Sequence, residues 1–217
     1  MSRFALTAAL MLLAPQATPH PHVFVDGTLG FVIDDDGHLS HLRVVWVMDA
    51  YYSLFALQDI GVDQDGDGSL TAEEKSRLAA HFSNWQPEFR GDSGLWADGE
   101  RLALGGPEGG EADLLEDGRI RMEFTRSVNL PFDPRVAEVT AKAFDPSFYT
   151  YYAITEAPTV TGDETCQATH ETLEASTELQ ALQAELLDYD PYATPEDGNV
   201  GEKLADTIRL TCEPRPS

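Results

Sequence analysis

Residues 22–48, HVFVDGTLGFVIDDDGHLSHLRVVWVM, read as two β-strands folded back on one another. The segment 22–33 is rich in Val, Phe and Thr, side chains that suit a pleated surface, and 39–48 returns with the same character. Between them Asp34-Asp35-Asp36-Gly37 forms the turn, with Asp-Gly the strongest short-range hairpin signal. The period changes at Ala50: Tyr51, Leu54, Phe55 and Leu57 recur at helical spacing, and the segment stops at Gly61. A second helix is expected over 71–85. Thr71 with Glu74 makes a capping box at its start, and Leu78, Phe82 and Trp85 form its apolar stripe.

Strand signals resume after Pro87. Residues 95–104 contain an Asp98-Gly99 turn, 105–110 read as a loop, and 119–129 (RIRMEFTRSVN) alternate polar with apolar. Further strands are expected at 136–144, 148–155 and 157–169, then a helix at 171–187, an acidic Pro-containing loop at 188–201 and a short strand at 206–212. Hairpin-linked strands with helices grouped between them predict an α+β fold with a mainly antiparallel β-sheet. On this reading residues 1–17 are a signal peptide and 18–165 form the α+β domain, with the helix–loop–helix inserted at 50–85. An acidic helical extension follows at 166–217.

The loop between the two helices carries the sharpest chemistry. Asp63-Gln64-Asp65-Gly66-Asp67-Gly68-Ser69-Leu70-Thr71-Ala72-Glu73-Glu74 fits the calcium-binding EF-hand pattern at each diagnostic position. Asp63, Asp65 and Asp67 offer carboxylate oxygens, Gly68 allows the sharp turn, and Ser69 offers its carbonyl. Thr71 is reached through water, and Glu74 closes the loop. These carboxylates repel one another unless a cation lies between them. A lone loop of this kind outside the cytoplasm is expected to bind Ca2+ weakly, with Kd on the order of 10⁻⁴–10⁻³ M, and to act as a structural staple.

The chain's beginning supports export. Arg3 precedes an apolar run at 4–14 and then Pro15-Gln16-Ala17, the charged, apolar, small-residue order of a secretory signal. That run is too short to span a bilayer and no later stretch is long enough, so the mature chain is expected to lack a transmembrane segment. The two cysteines, Cys166 and Cys212, are expected to form one disulfide in an oxidising compartment. Thirty-eight acidic residues against fourteen basic ones give a formal net charge of −24. Such a surface repels phosphate backbones, which sets nucleic acid aside as a partner, and it attracts cations.

His20-Pro21-His22 follows the expected cleavage region. In an extended segment residues two apart share a face, about 6.6 Å from one another, so two imidazoles could converge on one transition-metal ion. Asp26 could add an oxygen from that face, with His41 or Asp49 from the next strand. The alternative is a pair of exposed histidines. His38, His81 and His170 read as surface or satisfied residues. Gly91-Asp92-Ser93-Gly94 resembles the serine-protease nucleophile loop and Ala79-Ala80-His81 its histidine. They stand too close in sequence for that architecture, and no enzyme is expected.

One combination of residues is similar to a known family. It comprises the export signal, His20-Pro21-His22-Val23-Phe24-Val25-Asp26, Trp46 with Asp49, the acidic loop after the first helix, and Phe144-Asp145-Pro146 followed by Tyr149 and Tyr152. Together these resemble the uncharacterised bacterial periplasmic domain-of-unknown-function family one-thousand-and-seven, labelled an ABC-type uncharacterised transport system, periplasmic component. The resemblance covers residues 20–160 and continues more weakly beyond. It implies a place beside nickel, cobalt or zinc membrane transporters, with His20, His22, Asp26 and Asp49 as matching positions. The expectation is a periplasmic metal-handling accessory with structural Ca2+ and with Zn2+, Ni2+ or Co2+ as cargo. The competing expectation is a calcium-stabilised envelope interaction module without a transition-metal site.

Overall fold

The computed structural model describes residues 21–174, 176–177, 180–182, 184 and 199–214. The signal segment 1–17, His20, seven residues of the helix expected at 171–187 and residues 188–198 of the loop that follows lie outside the described residues.

The opening hairpin forms as its sequence predicts. β1 (Val23–Ile33) and β2 (Leu39–Met48) pair antiparallel, with Leu29 opposite Val44 and Phe31 opposite Leu42. Asp34 fixes the turn by accepting the N–H groups of Asp36 and His38 on Oδ1. β1 then becomes the spine of a larger sheet. Its free edge pairs in parallel with β8 (Thr150–Ile154) and β9 (Thr159–Thr161), while β2 pairs with β6 (Ile120–Phe132) and β6 with β5 (Glu108–Leu114). A second, wholly antiparallel sheet runs β10 (Cys166–Glu171), β11 (Thr207–Cys212), β7 (Val139–Ala143), β3 (Ser93–Ala97), β4 (Glu100–Arg101). Phe31, Leu42 and Phe124 of the first sheet and Leu95, Val139 and Ile208 of the second belong to one buried core. The architecture is α+β with mostly antiparallel strands, divided between two sheets.

Two local expectations are corrected. A loop was expected at 105–110, but β5 begins at Glu108. Its Glu-Gly-Gly start has poor strand propensity, yet it needs pairing only with β6, as an edge strand. At Gly110 a Cβ would lie 2.6 Å from Ser83 Oγ and 2.9 Å from Met122 Cε, so any larger residue makes those side chains shift. The second correction concerns α1 (Ala50–Ile60). Tyr51, Leu54 and Phe55 face outward, at 84, 56 and 63 % exposure, while Ser53, Ala56 and Leu57 are buried. The helix lies close enough to the sheet that the Ile120 N–H donates to Ser53 Oγ at 3.0 Å. A small polar residue therefore holds the position a larger apolar one would take.

The helix ends follow their chemistry. Asp49 caps α1 by accepting the Tyr52 N–H, and Gly61 closes it at φ 73°, donating to the Leu57 carbonyl. α2 (Ala72–Ser83) starts on the Thr71–Glu74 capping box, and Lys75 ties it to Asp113 of β5 at 2.6 Å. Cys166 and Cys212 stand opposite one another on β10 and β11 and are joined by a disulfide. A final short helix, α3 (Val200–Lys203), packs Gly201 against the Asp145 backbone. Among the described residues no helix is long and apolar enough to cross a membrane.

Candidate functional site

The segment between α1 and α2 folds its acidic side chains together. Asp63, Asp65 and Asp67 each place a carboxylate oxygen within 4.8 Å of the others. Backbone geometry makes this possible: Asp63, Gly66 and Gly68 have φ values of 50°, 68° and 76°. Asp63 Oδ1 accepts the Gly68 N–H at 3.2 Å, and Asp67 Oδ1 accepts the Ser69 N–H at 2.7 Å. Glu74 lies at the other end of the loop and is not one of the converging group. Its Oε1 accepts the Asp63 N–H at 3.0 Å, and its Oε2 accepts the Thr71 N–H at 2.9 Å and hydroxyl at 2.7 Å. The Thr71 N–H first, then its hydroxyl and the Asp63 N–H, hold the Glu74 carboxyl below its ordinary value. The donors are all oxygen, the set that suits a hard divalent cation such as Ca2+.

The opening-motif residues have other occupations. Asp26 Oδ2 accepts from Arg119 at 2.7 Å, and Asp49 caps α1 while accepting the Phe24 N–H at 2.9 Å on Oδ2. His22 lies against Tyr149, the two rings tilted at 39° with centroids 4.9 Å apart. His22, Asp26 and Asp49 do not gather into a three-ligand group among the described residues, and His20 lies outside them. His41 Nδ1 lies 3.0 Å from Ser40 Oγ, and its Nε2 lies 3.9 Å from a Glu108 carboxylate oxygen. His170 pairs with Asp206 at 2.7 Å. A group not expected from the sequence does form: Asp34, Asp36 and His38 converge in the β1–β2 turn. The Asp-Asp-Asp-Gly-His run that marked this turn was the available signal.

A second site is assembled from distant segments. A cleft of about 430 Å3 opens where the end of β2, the C-terminal side of α2 and β8 meet. Trp46, Tyr52, Trp85, Phe89, Tyr149 and Tyr152 line it, and Asp92 lies among them. Trp46 and Trp85 stack at 6.5 Å, Trp85 meets Phe89 edge-on at 5.1 Å, and Trp46 and Tyr152 are 6.1 Å apart. Asp92 reaches the cleft from a loop in which Gly91 and Asp92 are both left-handed, at φ 78° and 40°. Only glycine fits at 91, since a Cβ would come within 2.4 Å of the Trp85 ring and 2.8 Å of Arg126. The Tyr152 hydroxyl donates to Asp92 Oδ2 at 2.6 Å.

Burial pushes the Asp92 carboxyl up to about 7; the nearby Asp145 raises it further, while the Tyr152 hydrogen bond and Arg126 oppose the shift. Burial also lowers the Arg126 guanidinium to about 10. Arg126 lies behind this wall, 5.2 Å over the Trp85 ring, and donates to Gly105 O, Ser93 O and Ser93 Oγ. The serine of the Gly-Asp-Ser-Gly run is thus spent in structure: Ser93 Oγ also donates to Gly91 O at 2.8 Å. Trp46 Nε1 is buried with no hydrogen-bond partner among the described residues.

Residues 5–212 match the family described as Protein of unknown function (DUF1007). No curated protein matches the chain.

Proposed function

The chain belongs to the DUF1007 family of proteins of unknown function, and within it we propose an exported, calcium-stabilised protein that handles divalent metal ions. The observation that carries this reading is the convergence of Asp63, Asp65 and Asp67 in one loop between two capped helices. Like charges at that spacing destabilise one another, so a cation there is favourable by simple electrostatics. In an EF-hand arrangement Asp63, Asp65, Asp67 and Glu74 supply carboxylates, Ser69 a carbonyl, and Thr71 a water-mediated contact. The ion's role is to neutralise the loop and fix α1 against α2. The Cys166–Cys212 disulfide supports an oxidising, periplasmic location, and the residues at 1–17 supply the export signal.

The transport-accessory role rests on the family resemblance and on His20 and His22 as ligands for Zn2+, Ni2+ or Co2+. A second reading, an envelope interaction module with calcium alone, is favoured by two observations. Asp26 and Asp49 are committed to Arg119 and to the α1 cap, and Tyr51, Leu54 and Phe55 present an exposed apolar face.

Two measurements test these readings. Calcium at about 1 mM should raise the melting temperature and give a binding heat, and Glu74→Gln should remove both. No heat and no gain in melting temperature overturns the calcium reading. Zinc or nickel is then titrated with calcium present. Tight binding lost on changing His20 and His22 to Ala supports metal handling. No binding, with calcium-dependent melting intact, supports the interaction module.

A further inference from the structure

The aromatic cleft is separate from the acidic loop and has its own electrostatic logic. Among its lining residues Asp92 is the only carboxylate, and none is Lys or Arg. Its remaining walls are largely aromatic, and aromatic faces carry the negative end of a quadrupole. A pocket with one carboxyl, π faces on several sides and, among its described lining, His81 as the only side chain able to become cationic favours positive charge, the carboxyl's existing partners being the Tyr152 hydroxyl and Arg126 behind Trp85. The protein already uses this property elsewhere: the Arg126 guanidinium sits over Trp85, and that of Arg101 over Trp96 and Phe144. The formal charge of −24 adds a long-range attraction of the same sign.

Size and access agree with a small guest. The cleft, at about 430 Å3, lies within the range of small-molecule sites, roughly 300–1,000 Å3. Phe89 stands at the rim with 36 % of its surface exposed, whereas Trp46, at 4 %, is held rigidly against Phe124. A bare hard cation would find one carboxylate here, the other side-chain oxygens being the neutral ones of Asn84, Gln86, Thr150 and the tyrosines, too little negative charge to offset the loss of its hydration shell. A weakly hydrated organic cation loses less on entry and gains contact with every ring.

We propose that this cleft binds a small organic cation, an alkylated or protonated ammonium group, with Asp92 as its counter-ion and Trp46, Trp85 and Tyr152 as its walls. The inference does not depend on the calcium loop, which involves none of these residues.

The test is tryptophan fluorescence of the full chain with calcium present, since Trp46 and Trp85 both line the site. The probe is choline chloride, compared at equal ionic strength with its neutral carbon analogue dimethylbutanol and with sodium chloride. Choline should give a saturable change, the neutral analogue should bind at least about tenfold more weakly, and salt alone should give none. Asp92→Asn, nearly the same shape, should lose at least about tenfold in choline affinity while keeping a cooperative melt. Should that variant not fold, Phe89→Ala at the rim tests the same wall and should also weaken binding. Equal binding of choline and dimethylbutanol overturns the proposal. So does undiminished binding in both variants, no saturation with choline, or a response to Zn2+ alone.

Discussion

Replacing Asp92 by Asn should make the protein more stable at alkaline pH and nearly unchanged in acid. In the folded chain this carboxyl holds its proton up to about pH 7, above the ordinary aspartate value of 3.8, first because burial penalises its charge. Asp145 reinforces the effect, and the Tyr152 hydroxyl and Arg126 oppose it. The unfolded chain releases the same proton near the ordinary value. Between the two the native state binds more protons than the unfolded one, so this group's contribution is fully present in acid and lost as pH rises towards 7. At about 1.4 kcal/mol per pH decade the whole interval corresponds to about 4 kcal/mol. Asp92 is partly open to the cleft, and solvent screening reduces the expected figure to about 2 kcal/mol. Asn cannot titrate and still accepts the Tyr152 hydrogen bond. Urea unfolding of both proteins at about pH 5 and about pH 8, with calcium fixed, isolates the difference from all other titrating groups. The variant should gain about 1–2 kcal/mol on the wild type between those two conditions. A gap that stays constant, or a wild type that gains on the variant as pH rises, would falsify the assignment of a strained carboxylate to this cleft.

Three further outcomes follow from the fold. Reducing the Cys166–Cys212 bond, which spans 46 residues, should cost about 3–4 kcal/mol in denaturant unfolding by the chain-entropy argument. An unchanged midpoint in reductant would mean that the bridge adds nothing to the β10–β11 pair. Gly27→Ala should destabilise by about 3 kcal/mol, because its Cβ would lie 2.0 Å from the Val45 carbonyl oxygen across the central hairpin; a near-normal melt would contradict that register. Thr71→Ala should cost about 1 kcal/mol in calcium-free unfolding through loss of the α2 cap, and an unaltered melting temperature would show that the cap is dispensable.

What could be read from the sequence was what is local. The β1–β2 hairpin announces itself through Asp36-Gly37 between two Val-rich runs, and α2 through Thr71 and Glu74, which meet as predicted. The acidic loop was legible for the same reason, since Asp63, Asp65 and Asp67 are held together by the turn they themselves make. α1 was read correctly in extent but not in orientation, because a close-packed helix can bury Ser53 and Ala56 while Tyr51 and Phe55 face outward. β5 escaped because an edge strand tolerates Glu-Gly-Gly. The cleft as an assembly was not legible: Trp46, Tyr149 and Tyr152 stood out only as positions of the family resemblance, and Trp46, Trp85, Asp92 and Tyr152 come from four separate parts of the chain.

One pairing decides whether that cleft exists. β8 joins β1 in parallel, with Phe24 beside Tyr151 and Val25 beside Tyr152. Successive side chains on a strand point to opposite faces, so the two pairs part company. Phe24 and Tyr151 meet edge-on at 6.3 Å and are both exposed, while Val25 and Tyr152 face the cleft. A slip of one residue would exchange the faces, carrying Tyr152 outward and leaving Asp92 without its hydroxyl donor. The register is held from beyond the strand. Asp145 accepts the Thr150 N–H at 2.9 Å together with the N–H and hydroxyl of Ser147, fixing where β8 begins. The Phe144 N–H in turn donates to the Asp92 carbonyl at 3.0 Å. The Phe144-Asp145-Pro146 segment thus anchors both the strand that carries Tyr152 and the loop that carries Asp92. The spacing from Asp145 to Tyr152 acts as a ruler for the site, and inserting one residue between Ser147 and Thr150 should abolish the cleft while leaving the β1–β2 hairpin and the acidic loop intact.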